Sequence, residues 1–206
     1  VYMWNRYSNN SLTIKGASRF VNNTAANSGG ALCFDKNDIV YTDDDGKLQY
    51  RHGELNIIGT AETPIVFSGN TAKNYSGGAL CIGASNTDTL DYLDVHDNTA
   101  KQYGGGIYIN QGSTEGTLTN SKIYNNTTVQ TGGGVFVYAY FDYQNVKVDN
   151  VDVPTRIGKS GNFTIENCEV TGNSTTGTDG NSRGGAGIAF GADLRHSKFY
   201  GDDSGT

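Results

Sequence analysis

The sequence predicts an all-β chain folded as a right-handed parallel β-helix, a solenoid of about five to six coils with two hairpin-like insertions. Three observations predict it. Short apolar runs are separated by Asn, Thr, Ser and Gly, and only two prolines stand among 206 residues. An apolar residue three positions before an Asn recurs along the chain at Phe20/Asn23, Phe67/Asn70, Val95/Asn98, Ile123/Asn126 and Val170/Asn173. A glycine then follows each of the first four Asn after seven or eight residues, at Gly30, Gly78, Gly105 and Gly133. In the fifth copy the linker stretches and reaches Gly185. Two register marks that keep step through five copies indicate stacked repeats, because a short strand-only unit buries its apolar face only against its neighbours.

Composition narrows the class. The chain is 35% hydrophobic and 17% charged, with 29 glycines, thirteen Tyr and eight Phe, which is too apolar and aromatic for a disordered segment. A net charge of −6 argues against a nucleic-acid partner, which needs clustered cations. No apolar run is long enough to span a membrane as a helix. The opening "VYMWNRYSNN", without an initiator Met, suggests a mature product or an excised piece.

Each repeat position becomes a column once coils stack. Leu32, Leu80, Ile107, Val135 and Ile188 form one apolar column, and Phe34, Ile82, Ile109, Val137 and Phe190 form another two residues on. Shared strand parity turns both inward. Leu12/Ile14, Leu55/Ile57, Leu90/Leu93, Leu118/Ile123 and Phe163/Ile165 are read as the opposing wall. Asn23, Asn70, Asn98, Asn126 and Asn173 read as an amide ladder at a tight turn, where Asn tolerates left-handed backbone. Seven Asn satisfy the N-x-S/T pattern, two of them in this ladder; in a chain so rich in Asn, Ser and Thr these are attributed to composition.

The Asn spacings are 47, 28, 28 and 47 residues. The long intervals read as one coil plus an insertion, at about 35–53 and 138–160, each alternating like a β-hairpin. The alternative is two full coils per long interval. "LRHSKFYGDDSGT" at the end starts another copy at Phe199 and Asp202. The chain is therefore read as one β-helix domain, 1–206, belonging to a longer array whose neighbouring coils are its partners.

The column between the two apolar ones holds Cys33, Cys81, Tyr108, Phe136 and Ala189, and by parity it faces outward. Either the insertions cover it, or it forms a binding platform of Tyr108 and Phe136 with Tyr138, Tyr140, Tyr143 and Tyr50 from the insertions. Cys33 and Cys81 occupy equivalent positions and are read as stacked thiols; Cys168 stands alone.

Chemistry is harder to find. "NTD" at 86–88 resembles one element of polygalacturonases, but "RHG" precedes it and "RIGK" breaks the last element. His52, His96 and His196 fall in different contexts. Asp43 and Asp45 of "DDDG" are the candidate Ca²⁺ ligands, yet they lack the alternating spacing of an EF-hand loop, so no cofactor is expected. The reading leans away from an enzyme.

"FSGNTAKNYSGGALCI" resembles the polymorphic outer-membrane protein (Pmp) repeats of chlamydiae, marked by Phe-x-x-Asn and Gly-Gly-Ala-[Ile/Leu/Val]. Here "FVNN" and "FSGN" match the first motif, "VHDN", "IYNN" and "VTGN" relax its Phe, and "GGAL" matches the second twice. "GGGI" and "GGGV" come near, and "GGAG" departs. The resemblance implies a secreted, extracellular β-helical passenger or stalk used in adhesion, with a protein or glycan on a cell surface as partner. A polysaccharide-active β-helix enzyme is the alternative, and a structural spacer a further one.

Overall fold

The structure, a computed structural model, describes residues 1–4, 11–35, 39–42, 48–51, 53–83, 87–111, 115–139, 142–148, 151–157, 163–178 and 184–192. Tyr140, Asp43, Asp45, His52, His196 and the copy at Phe199 lie outside them. The described chain is a right-handed parallel β-helix of five coils, each made of four strands in the same order. The first strands are Leu12–Lys15, Glu54–Ile58, Thr87–Asp91, Glu115–Thr119 and Phe163–Glu166. The second carry the apolar-x-x-Asn motif, from Arg19–Val21 to Glu169–Thr171, and the third are two-residue strands such as Thr71–Ala72. The fourth strands run from Leu32–Asp35 to Ile188–Ala192, and Tyr2–Trp4 pairs ahead of them as a sixth member. Equivalent strands pair in parallel throughout.

Hydrophobic burial along the axis holds the rod together. Leu32, Leu80, Ile107, Val135 and Ile188 are direct register partners, as are Phe34, Ile82, Ile109, Val137 and Phe190. In the three central coils these side chains are buried completely or nearly so, whereas Phe190 in the fifth coil is 67% exposed. Phe20 stacks on Phe67 with ring centroids 4.7 Å apart, so the motif's aromatic is an axial core contact.

The wall facing these columns differs from the sequence reading. Along the first strands the register is Leu12, Leu55, Asp88, Gly116, Phe163, followed two residues on by Ile14, Ile57, Leu90, Leu118, Ile165. Leu93 and Ile123 belong to the second strands. An acid therefore occupies an inward position: Asp88 is 1% exposed. Gly116 beside it leaves the space that the Phe163 ring fills, since a Cβ there would come within 2.7 Å of that ring.

The motif Asn do not carry the left-handed turn. That conformation falls on the preceding residue, at Asn22, Gly69, Asp97, Asn125 and Gly172. Asn, Asp and Gly are the residues that adopt it at low cost, and the turn leaves the next side chain pointing inward. The second glycine mark also needs a correction in the fifth copy. Because Val135 pairs with Ile188, the partner of Gly133 is Ala186 and Gly185 matches Gly132. A Cβ at Gly30, Gly78, Gly105 or Gly133 would strike the backbone carbonyl of the next member of the row. Ala186 is the last described member of the row.

Both long intervals contain an antiparallel hairpin. Ile39–Thr42 pairs with Leu48–Arg51, and Asp142–Val148 with Val151–Ile157. Asn23 and Asn70, 47 residues apart, are hydrogen-bonded neighbours, so each long interval is one coil plus an insertion and not two coils.

Candidate functional site

The outward row of the fourth strands runs Tyr2, Cys33, Cys81, Tyr108, Phe136, Ala189. Two of its members are covered, Phe136 at 5% exposed and Cys33 at 6%, whereas Tyr2 at the end of the row is 65% exposed. Part of the cover is aromatic. Phe136 stacks on Tyr103 at 4.8 Å, on Tyr108 at 6.0 Å with planes 2° apart, and on Tyr138 at 6.3 Å. The rings therefore use their faces on one another. The turn glycines close over the same row, since a Cβ at Gly132 would lie 2.7 Å from that of Phe136, and one at Gly29 would lie 2.8 Å from that of Cys33. Burial, with the Cys81, Tyr138 and Tyr103 groups nearby, pushes the Tyr108 phenol well above the usual tyrosine value.

Tyr103 was absent from the expected platform. It sits in the linker before Gly104, where its register partners are the small Thr131 and, beyond that, Gly184. The signal was a lone aromatic at a position where other copies carry small residues. Tyr138 is half-buried beside the cluster. Tyr50 and Tyr143 stand in the hairpin strands, opposite Val40 and Arg156.

Both hairpins leave the coil at one corner, between a fourth strand and the next first strand. One follows Leu32–Asp35 and the other Val135–Ala139, three coils later. At about 4.8 Å per coil the two corners lie about 14 Å apart along the rod. The second hairpin continues directly from the strand that carries Phe136 and Tyr138.

A second grouping lies on the outward face of the second strands. His96 stacks on Tyr124 at 4.8 Å with planes 6° apart, and its Nδ1 lies 2.7 Å from Asp97 Oδ2. Asp94 is on the same strand, and its buried Oδ1 accepts no hydrogen bond among the described residues. Desolvation and the neighbouring Asp94 raise the Tyr124 phenol. Sequence reading treated His96 as isolated, because only the register His96–Tyr124 between coils brings the pair together.

Cys33 and Cys81 are register partners in adjacent coils, and none of the three cysteines is in a disulfide. Burial raises the Cys168 thiol, against opposing hydrogen bonds from the Ser121 and Glu166 backbone. Among the described residues, no group of three His, Cys, Asp or Glu side chains is arranged to hold a metal ion.

The strands and faces define a repeat-built parallel β-helix in which one motif supplies the scaffold and two hairpins interrupt it. The family model for the Chlamydia polymorphic membrane protein repeat matches residues 17–35 and 64–83, which are the copies around Phe20/Asn23 and Phe67/Asn70 with the fourth strands that follow them. Two of the chain's repeats are Pmp-like, and a Pmp-like repeat suggests a surface-associated protein. No curated protein and no solved structure matches the chain. No helix among the described residues is long and apolar enough to cross a membrane, which says nothing about strands.

Proposed function

We propose that this chain is a segment of an extracellular, adhesin-like β-helix, a stalk or passenger of a longer array, that binds a protein or glycan on a cell surface. The observation that carries the reading is the common corner of the two hairpins beside the aromatic row. The repeats spend their side chains on the core and the Asn row, which leaves the insertions free to vary without cost to the rod. In this reading Tyr50, Tyr140 and Tyr143 of the insertions make contact. Tyr108, Phe136 and Tyr138 form the packed base that orients the second hairpin, because rigid aromatics anchor an interface at low entropic cost. The test is saturable binding of the labelled chain to cultured cells and to a glycan panel, repeated with each hairpin trimmed singly. Binding that is unchanged in both trimmed forms overturns the reading.

A polysaccharide-active β-helix has one observation in its favour, the outward row of Asp94, His96 and Tyr124, each partly buried. There the His96 imidazole stacks on the Tyr124 phenol with the Asp94 carboxylate on the same strand, the residue types that acid–base work uses. Turnover of uronate-rich polymers that Asp94→Asn abolishes would support it, and no turnover with or without Ca²⁺ would remove it.

A further inference from the structure

We infer that Cys33 and Cys81 form a reversible disulfide that staples the first coil to the second across the base of the first hairpin. Three features carry this. The two residues are Cα partners on adjacent parallel strands, and such partners lie about 4.8 Å apart, inside the range a disulfide spans. They share the outward row, so both side chains leave the sheet on one side. Their flanking register partners are Tyr2 and Tyr108, so each thiol has only the other as a sulfur neighbour in the row.

Accessibility sets the order of events. Cys33 is nearly buried beneath the Gly29 turn, whereas Cys81 is partly exposed. The oxidant is a small disulfide, RSSR. The Cys81 thiolate attacks one sulfur of RSSR, giving Cys81–S–S–R and releasing RS⁻, which takes up the proton that Cys81 lost. The Cys33 thiolate then attacks Cys81 Sγ, the S–S bond between Cys81 Sγ and the sulfur of R breaks, and the released RS⁻ takes up the proton that Cys33 lost. In sum, two thiols are oxidised by two electrons and one RSSR is reduced to two RSH. In-register side chains must lean together to bond, so the link is readily reduced again. The ring it closes encloses the hairpin Ile39–Thr42/Leu48–Arg51.

The test equilibrates the purified chain with glutathione buffers from fully reduced to fully oxidised, quenches with acid, alkylates after denaturation and maps the peptides by mass spectrometry. The expected result is loss of both alkylated cysteines together and appearance of one peptide pair joined through Cys33 and Cys81. Cys168 stays alkylated at the same ratios. In Cys33→Ser the second step is missing, so Cys81 accumulates as its glutathione adduct. Wild-type chain in which Cys81 holds glutathione while Cys33 is still alkylated overturns the inference, as does a series in which neither thiol is oxidised. The wild-type series decides on its own if the Ser variant fails to fold.

Discussion

Asn98 donates both its side-chain and its backbone N–H to one oxygen, Asn126 Oδ1, at 2.9 and 3.0 Å. The same double donation links Asn23 to Asn70, Asn70 to Asn98 and Asn126 to Asn173. Each side-chain amide of the last four also donates to the carbonyl of the motif's apolar residue one coil back: Phe20, Phe67, Val95 or Ile123. Apolar-x-x-Asn is thus a clamp between coils, with a ring or branched chain in the core and an amide closing the turn.

Replacing Asn98 with Ala removes this clamp in the middle of the rod. The Asn70 backbone N–H and the Phe67 carbonyl lose bonds in a buried setting, at about 1–3 kcal/mol for each orphaned group. A loss of about 3 kcal/mol is expected in urea unfolding, against about 1 kcal/mol for Asn173→Ala in the more exposed fifth coil.

The glycine row makes an asymmetric prediction. Gly78→Ala drives a methyl group into the Gly105 carbonyl, which is backbone and cannot swing away. It should cost at least about 3 kcal/mol or prevent folding. Ala186→Gly at the matching place in the fifth coil should stay within about 1 kcal/mol, by the same unfolding measurement.

Tyr108 predicts how the rod responds to alkali. The native phenol titrates above the unfolded value of about 10, so above that pH the native state holds a proton that the unfolded chain has lost. This contribution to stability is complete below pH of about 10 and declines as pH rises from there through the native value. Tyr108→Phe should flatten that decline, and phenolate absorbance should show one tyrosine fewer ionising late.

The His96–Tyr124 stack can be tested separately from the rod. Both groups face outward and are partly exposed, so His96→Ala should change stability by less than about 1 kcal/mol. A drop of several kcal/mol on unfolding would show that the pair is structural.

Much of the scaffold was legible because period and parity are properties of one strand. The columns of Leu80 and Ile82 follow from counting, and the 19 residues beyond a 28-residue coil follow from the Asn spacing. What escaped depends on register between coils. Asp88 lies among apolar inward positions only because Thr87–Asp91 pairs with Glu54–Ile58, which a polar "NTDT" gave no reason to expect. The offset from Gly185 to Ala186 was hidden by a lengthened linker and is fixed only by Val135 facing Ile188. The left-handed turn was assigned to the repeated Asn because the residue before it varies among Asn, Asp and Gly and so leaves no single-letter mark. Tyr103 and Tyr124 were missed for a related reason. A cluster built across coils leaves no pattern along the chain.

The central claim is that the repeats are scaffold and the interruptions carry binding. It is tested most directly by replacing both hairpins, 39–51 and 142–157, with linkers as short as the 112–114 stretch that joins the third and fourth coils. Circular dichroism and cell binding are then measured on the same sample. The account predicts an unchanged β signature with binding lost. Full binding by the hairpin-free rod would contradict it.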